Sequence, residues 1–146
     1  MIQTCSIILP AYNEAGVVGS VITGLQTSFP EAEILVVDDC STDATAKEAS
    51  DAGARVISHK YNMGNGAAIK TGTRHAKGDV LVFMDADGQH SAKDVQLLMD
   101  KIDEGYDLVI GARDAGSQAN KRRLIGNGLL NRLASLLTGH KIEDLT

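Results

Sequence analysis

Cysteine is scarce, basic residues are outnumbered and long apolar runs are missing from these 146 residues. Cys5 and Cys40 have neither metal-ligand spacing nor histidine company, so the plain reading is two reduced thiols in a cytoplasmic protein rather than a disulfide or cysteine metal centre. Lys and Arg number 14 against 19 Asp and Glu, a formal net charge of −5, which argues against a nucleic-acid-binding face. The apolar stretches fall far short of the roughly 18 residues of a membrane span. Met1-Ile2-Gln3-Thr4-Cys5 lacks the basic region of a signal peptide, and the apolar run that follows breaks at Pro10. The expectation is a cytoplasmic chain that does not cross a bilayer but can sit peripherally at its inner face. Internal repeats and low-complexity tracts are also absent. No Ser-His-Asp or Cys-His arrangement stands out, so nucleophilic hydrolysis is not favoured.

What is present is the composition of one soluble domain, 43% hydrophobic and 23% charged, which makes disorder a poor reading. Short apolar runs at Ser6 to Leu9, Ala32 to Val37, Ala54 to Ser58, Asp79 to Met84 and Tyr106 to Ile110 predict about five buried strands. Between them, Val17, Val18, Val21, Ile22 and Leu25 carry helical spacing, and helices are expected over Asp43 to Ala52, Ala67 to Ala76 and Ala92 to Asp103, the last with Ser91 as N-cap. Strict alternation predicts an α/β fold, a mostly parallel sheet with helices on both faces and right-handed crossovers. Such sheets bind ligands beyond the carboxyl ends of their strands. The polar clusters after each run should therefore converge on one edge. After Arg113 the pattern changes to a small, polar stretch, then Lys121-Arg122-Arg123 and a leucine-rich helical face from Leu124 to Leu137, expected as core or as the interface of a homo-oligomer, with a membrane anchor as the alternative.

Asp85-Ala86-Asp87 sets two carboxylates past a strand end, with small neighbours that let a ligand approach. Mg²⁺ or Mn²⁺, held by one or two carboxylates plus nucleotide phosphates, would suit it, with Gln89 and His90 adding further donors. An ordinary acidic loop is the alternative. Asp38-Asp39 makes a second acidic pair, whose charge would need a metal, Lys60, Arg113 or base donors to offset it. Helix capping is the alternative there, and Asp43 reads as a cap alone. Asn62 to Ala67 opens a helix with glycines able to bring backbone amides to an anion, but it is not a Walker loop and an ordinary glycine-containing turn is the favoured reading. His59, His75 and His140 show no companions in sequence.

Taken in order, Ile7-Ile8-Leu9-Pro10-Ala11-Tyr12-Asn13-Glu14, Val36-Val37-Asp38-Asp39-Cys40-Ser41-Thr42-Asp43, Asn62-Met63-Gly64-Asn65-Gly66-Ala67-Ala68, Asp85-Ala86-Asp87-Gly88-Gln89-His90 and Gly111-Ala112-Arg113 resemble a family 2 glycosyltransferase with the Rossmann-like GT-A fold. The Asp-Ala-Asp-Gly-Gln-His form more narrowly resembles the branch of dolichol-phosphate mannosyltransferases and bacterial polyprenyl-phosphate glycosyltransferases. The resemblance implies an inverting transfer from a GDP- or UDP-sugar donor to a polyprenyl or dolichyl phosphate, with Mg²⁺ or Mn²⁺ as cofactor. It implies that Pro10, Tyr12, Glu14, Val37 and Asp39 hold the nucleoside, and that Asp85 and Ala86 lie along the nucleotide sugar. It also implies that Asp87 and Gln89 are metal ligands and that Arg113 serves the donor phosphates or sugar, Asp87 and Arg113 being the catalytic pair. Residues 1–114 would form the nucleotide-sugar-binding core, and 115–146 a connecting loop and amphipathic helix that begin the acceptor side. That branch continues past an Asp-Leu-Thr-like segment, whereas the sequence stops at Asp144-Leu145-Thr146, so the expectation is a fold truncated on its C-terminal side. A non-catalytic nucleotide-sugar-binding fragment is the alternative. A receiver-like signalling domain is the rival from another class, but there an acidic pair follows the first strand, and here a strand and a helix precede Asp38-Asp39.

Overall fold

The computed structural model describes residues 4–111. It shows alternating elements: β1 (Cys5–Ala11), α1 (Val18–Ser28), β2 (Glu33–Asp38), α2 (Thr45–Asp51), β3 (Arg55–Ser58), α3 (Asn65–His75), β4 (Val80–Phe83) and α4 (Ala92–Asp103). The chain divides after Asp100 into two units, the first of which contains the whole sheet. The boundary expected after Asp114 lies outside the described residues.

All four strands run parallel, in the order β3-β2-β1-β4. Ile8 therefore lies beside Leu35 on one side and Phe83 on the other, and Val37 lies beside Ile57. Ile7, Ile8 and Leu9 are fully buried, as are Leu35, Val36 and Val37, because a sheet covered on both faces buries successive side chains rather than alternate ones. Each such side chain stabilises the fold by about 1.5–3 kcal/mol.

Right-handed crossovers fix the layers. From β1 to β3 the chain moves one way across the sheet, then α3 carries it back past β1 to β4, so α3 covers the face opposite α1 and α2. Helix α1 turns Val18, Ile22 and Leu25 inward at helical spacing. Helix α3 presents Ala68 and Gly72 to Ile8, Leu35 and Val37. A Cβ on Gly72 would stand 2.4 Å from Ile8 Cγ2, so the helix lies where only glycine lets it approach. At the start of α4, the Asp94 carboxylate accepts the Ser91 N–H at 2.7 Å, one half of a capping box.

The order of strands also removes the receiver-like alternative, whose fold runs 2-1-3-4-5. One expected element is corrected. Residues 106–110 form no strand; Leu108 and Ile110 are exposed, and an apolar run becomes a strand only where a ladder partner takes its N–H and C=O groups.

At the amino edge of the sheet, Glu33 accepts from the Ser6 hydroxyl at 2.6 Å, the Lys77 N–H at 2.9 Å and the Arg55 guanidinium at 2.9 Å. Burial pushes its carboxyl up, but these donors outweigh burial and hold it below the ordinary value. A depressed carboxyl contributes stability above its unfolded pKa, about 4.3, and loses it as pH falls through the folded value. Glu33→Gln is expected to lower stability near pH 7 by about 1–3 kcal/mol and to flatten the acid limb of a stability profile below about pH 5; an unchanged limb would remove Glu33 from the linkage. Gly72→Ala gains about 1 kcal/mol of helix propensity but overpacks Ile8 at about 1–3 kcal/mol. A lower urea midpoint is the expected result, and an equal or higher one would show that Ile8 gives way.

Candidate active site at the carboxyl edge of the sheet

Strands β1 and β4 are neighbours from which the chain departs in opposite directions, the switch point at which an open α/β sheet leaves a crevice. An open cavity of about 190 Å³ lies there. Its lining includes Pro10 at the end of β1, Tyr12 and Glu14 after it, Asp39 after β2, Asn65 and Ala68 on α3, and Asp85, Ala86 and Asp87 after β4. Seven of the residues singled out from sequence are thus brought together. Val37 is not among them, since its side chain is fully buried against Ile8, Leu35 and Ala68. Gln89 stands just outside the lining, its N–H donating to Asp87 Oδ1 at 2.9 Å. Arg113, Arg122 and Arg123 lie outside the described residues.

Much of the polar sequence around the cavity holds the loops themselves. Asn13 N–H donates to Ser41 Oγ and Thr42 N–H to Asn13 Oδ1, both at 2.9 Å, while Glu14 N–H donates to Thr45 Oγ1 at 2.8 Å. Asp43 accepts from Ala15 N–H and Thr45 N–H, and Glu48 accepts from Gly16 N–H at 2.6 Å. The N–H groups of Asn13 to Gly16, between β1 and α1, are met by the loop after β2 and the first turns of α2. Asn13 and Cys40 both adopt left-handed backbone, with φ of 57° and 64°. Asp43, expected as a cap alone, stands one residue before the Ala44 N-cap of α2 and ties the two loops together.

Asp39 does not cap α2. Its carboxylate, 5% exposed, accepts from Met63 N–H at 2.9 Å and His59 Nδ1 at 2.6 Å through Oδ1, and from Gly64 N–H at 2.6 Å through Oδ2. Burial pushes its pKa up, yet the Met63, His59 and Gly64 hydrogen bonds and the histidine's charge prevail and hold it below the ordinary value. The glycine turn, favoured from sequence as an ordinary turn with an anion loop as the alternative, does meet an anion, the protein's own aspartate. Gly64 reaches it with φ of 86°, a conformation open to glycine. His59, without companions in the sequence, is its buried partner, because the β2–β3 register sets Ser58 beside Asp38 and the next residue on each strand end meets its counterpart. Asn65 and Ala68 were likewise not singled out for the cavity; the only signal was the helix-opening glycine turn.

On the other side of the cavity the charge is unbalanced. Glu14 has its carboxyl pushed up first by burial and then by the negative charges of Asp87, Asp43 and Asp85. Among the described residues no three His, Cys, Asp or Glu side chains are disposed to hold a metal by themselves. Clustered carboxylates that repel one another, yet cannot complete a coordination shell, suit a hard divalent cation whose remaining ligands are phosphate and water.

A crevice at the switch point, acidic on one side and backed by a clamped aspartate on the other, marks a ligand-binding α/β protein. More narrowly, the chain belongs to glycosyl transferase family 2, whose model matches residues 6–142. The fold is that of GT-A glycosyltransferases. Among similar proteins, glycosyltransferase AglJ of Haloferax volcanii is 34% identical over 95% of this chain and 46% of its own length. The undecaprenyl-phosphate 4-deoxy-4-formamido-L-arabinose transferase of Klebsiella pneumoniae is 31% identical over 98% and 46%. The chain thus spans about half the length of these curated relatives. The crystal structure of glucosyl-3-phosphoglycerate synthase from Mycobacterium tuberculosis superposes with a TM-score of 0.70 at 28% identity, covering 92% of this chain and 52% of that one. A structure of that enzyme with Mn²⁺, UDP-glucose and phosphoglyceric acid gives a TM-score of 0.62 at 31% identity, over 69% and 39%.

The crowding of carboxylates yields a stability prediction. A group whose folded pKa is raised is destabilised in its charged form, so removing a repelling neighbour should help the fold at pH values above the Glu14 midpoint. Asp87→Asn, in metal-free buffer, is expected to bring the Glu14 titration back toward its ordinary value and to leave the melting temperature equal or higher. NMR titration of the Glu14 carboxyl checks this, and an unmoved midpoint would refute the repulsion.

Proposed function

We propose that this chain carries the donor side of an inverting glycosyltransferase, moving a sugar from a GDP- or UDP-sugar to a polyprenyl phosphate at a membrane surface. The observation that supports it most is the single cavity that unites Tyr12, Glu14, Asp39, Asp85 and Asp87 at the switch point of a family 2 fold. In this reading Pro10, Tyr12 and Glu14 flank the nucleoside, Val37 contributes through its position in β2, and Asp39 accepts from the base. Asp85 and Ala86 follow the ribose and sugar. Asp87 and Gln89 hold Mg²⁺ or Mn²⁺ against the diphosphate, and Arg113 meets the donor phosphates.

The chemistry suits these residues. Departure of a nucleoside diphosphate builds negative charge, which a bound divalent cation neutralises. Asp87 fixes that cation's place, and the N–H of Gln89 holds the Asp87 carboxylate in turn. A phosphate monoester acceptor has a second pKa of about 6 and arrives ionised, so it needs little help from a base. The branch that the sequence motifs resemble, and the name of the Klebsiella relative, both support a polyprenyl phosphate as acceptor. No helix among the described residues is long and apolar enough to cross a membrane. Peripheral association, with Arg122 and Arg123 toward the acceptor phosphate or anionic headgroups, is the matching proposal for placement.

Calorimetric titration with UDP and GDP, with and without Mn²⁺, tests the reading. One nucleotide should bind in a metal-dependent way. Asp87→Ala should remove the metal-dependent part, a loss of about 1.5–3 kcal/mol or roughly ten- to hundredfold in affinity, with the circular dichroism unchanged. Binding of neither nucleotide would overturn the donor reading, and metal-dependent affinity that survives Asp87→Ala would overturn the ligand assignment.

A further inference from the structure

We infer that His59 is a positioning residue that holds the Asp39 carboxylate in the one orientation able to read the imino edge of a nucleotide base. The inference rests on the donor-site reading above and adds a residue to it.

An ionised carboxylate has only acceptors, about four lone-pair sites on two oxygens. In Asp39, three are taken. His59 Nδ1 and the Met63 N–H occupy Oδ1, and the Gly64 N–H occupies one site of Oδ2. One site on Oδ2 is left for a ligand, and Asp39 lines the cavity. Because its partner is an acceptor, Nδ1 of His59 must carry the hydrogen, whether or not Nε2 carries a second one. Nε2 meets the Thr71 hydroxyl at 2.8 Å, which fixes the ring from its far side. The imidazole is 8% exposed, nearly as enclosed as the carboxylate it holds. Of the three donors, two are backbone groups of one turn. The third is a side chain from the end of β3, and without it the carboxylate can turn about its Cβ–Cγ bond and lose its fixed lone pair.

Such an acceptor has a defined complement. Uracil N3–H and guanine N1–H donate to it, whereas cytosine N3 and adenine N1 are bare acceptors and face it with repulsion. The signature of the positioning role is therefore discrimination within a ring size, UDP over CDP or GDP over ADP, rather than affinity as such. A purely structural role for His59 would weaken all nucleotides alike or lower stability without changing their ratio.

The experiment titrates the full chain, with Mn²⁺, against UDP and CDP and against GDP and ADP. The wild type should prefer the imino-bearing member of one pair by on the order of tenfold or more, the value of one hydrogen bond to a charged group. His59→Phe fills the space without a donor and should bring that ratio close to one, largely through the imino-bearing nucleotide. His59→Asn restores an N–H near the Nδ1 position and should recover most of the preference. If His59→Phe does not fold, Thr71→Val carries the comparison, and it too should lower the ratio. A ratio unchanged in His59→Phe, or in Thr71→Val where that stands in, overturns the inference while the donor reading stands. A wild type that binds no nucleotide, or a ratio that survives Asp39→Asn, overturns the base-reading assignment and the inference with it.

Discussion

The approach of α3 to the sheet at Gly72 is the contact on which the remaining geometry depends. With only a hydrogen where any other residue would strike Ile8, the helix settles close against β1 and β2. That depth decides where its amino end lies. Only from there can the Met63 and Gly64 N–H groups reach Asp39, and only then do Asn65 and Ala68 form a wall of the cavity. A helix displaced outward by one methyl layer would leave a buried carboxylate short of donors, a costly state in a setting of low polarity.

Two electrostatic solutions stand side by side at one edge of the sheet. Asp39 is satisfied from within the protein, by a histidine and two backbone amides, and its carboxyl is held low. Glu14 has its carboxyl pushed up by burial and then by the neighbouring charges of Asp87, Asp43 and Asp85. The first arrangement belongs to a group that must keep one orientation. The second belongs to groups whose negative charge is balanced only when a cation and a diphosphate arrive, as the donor reading requires.

The strands and helices were legible because a doubly covered sheet writes itself as apolar runs, and the stripe of Val18, Ile22 and Leu25 writes a helix. The motif residues of the cavity were legible because strand ends carry polar clusters and parallel strands deliver those ends to one edge. Residues 106–110 misled, since an apolar run says nothing about whether a ladder partner is at hand. Val37 shows that a motif position can lie in the core rather than in the cavity. His59 was invisible for a different reason. Its partner is twenty residues away, and only the register between β2 and β3 brings the two together. In the same way Asp43 reads as a cap alone, whereas it also accepts from an amide of the preceding loop.

Strand β1 runs down the middle of the sheet, and the cavity draws on both of its neighbours. Asp39 and α3 stand on the β2 side, the Asp85 to Asp87 loop stands on the β4 side, and Pro10 to Glu14 form the seam between them. On the proposed reading, the part that chooses a base and the part that engages metal and diphosphate are thus separate modules sharing one strand. Substitutions on one flank can change which nucleotide is accepted without disturbing the ionic machinery on the other, so the fold can diversify its donors while keeping its chemistry.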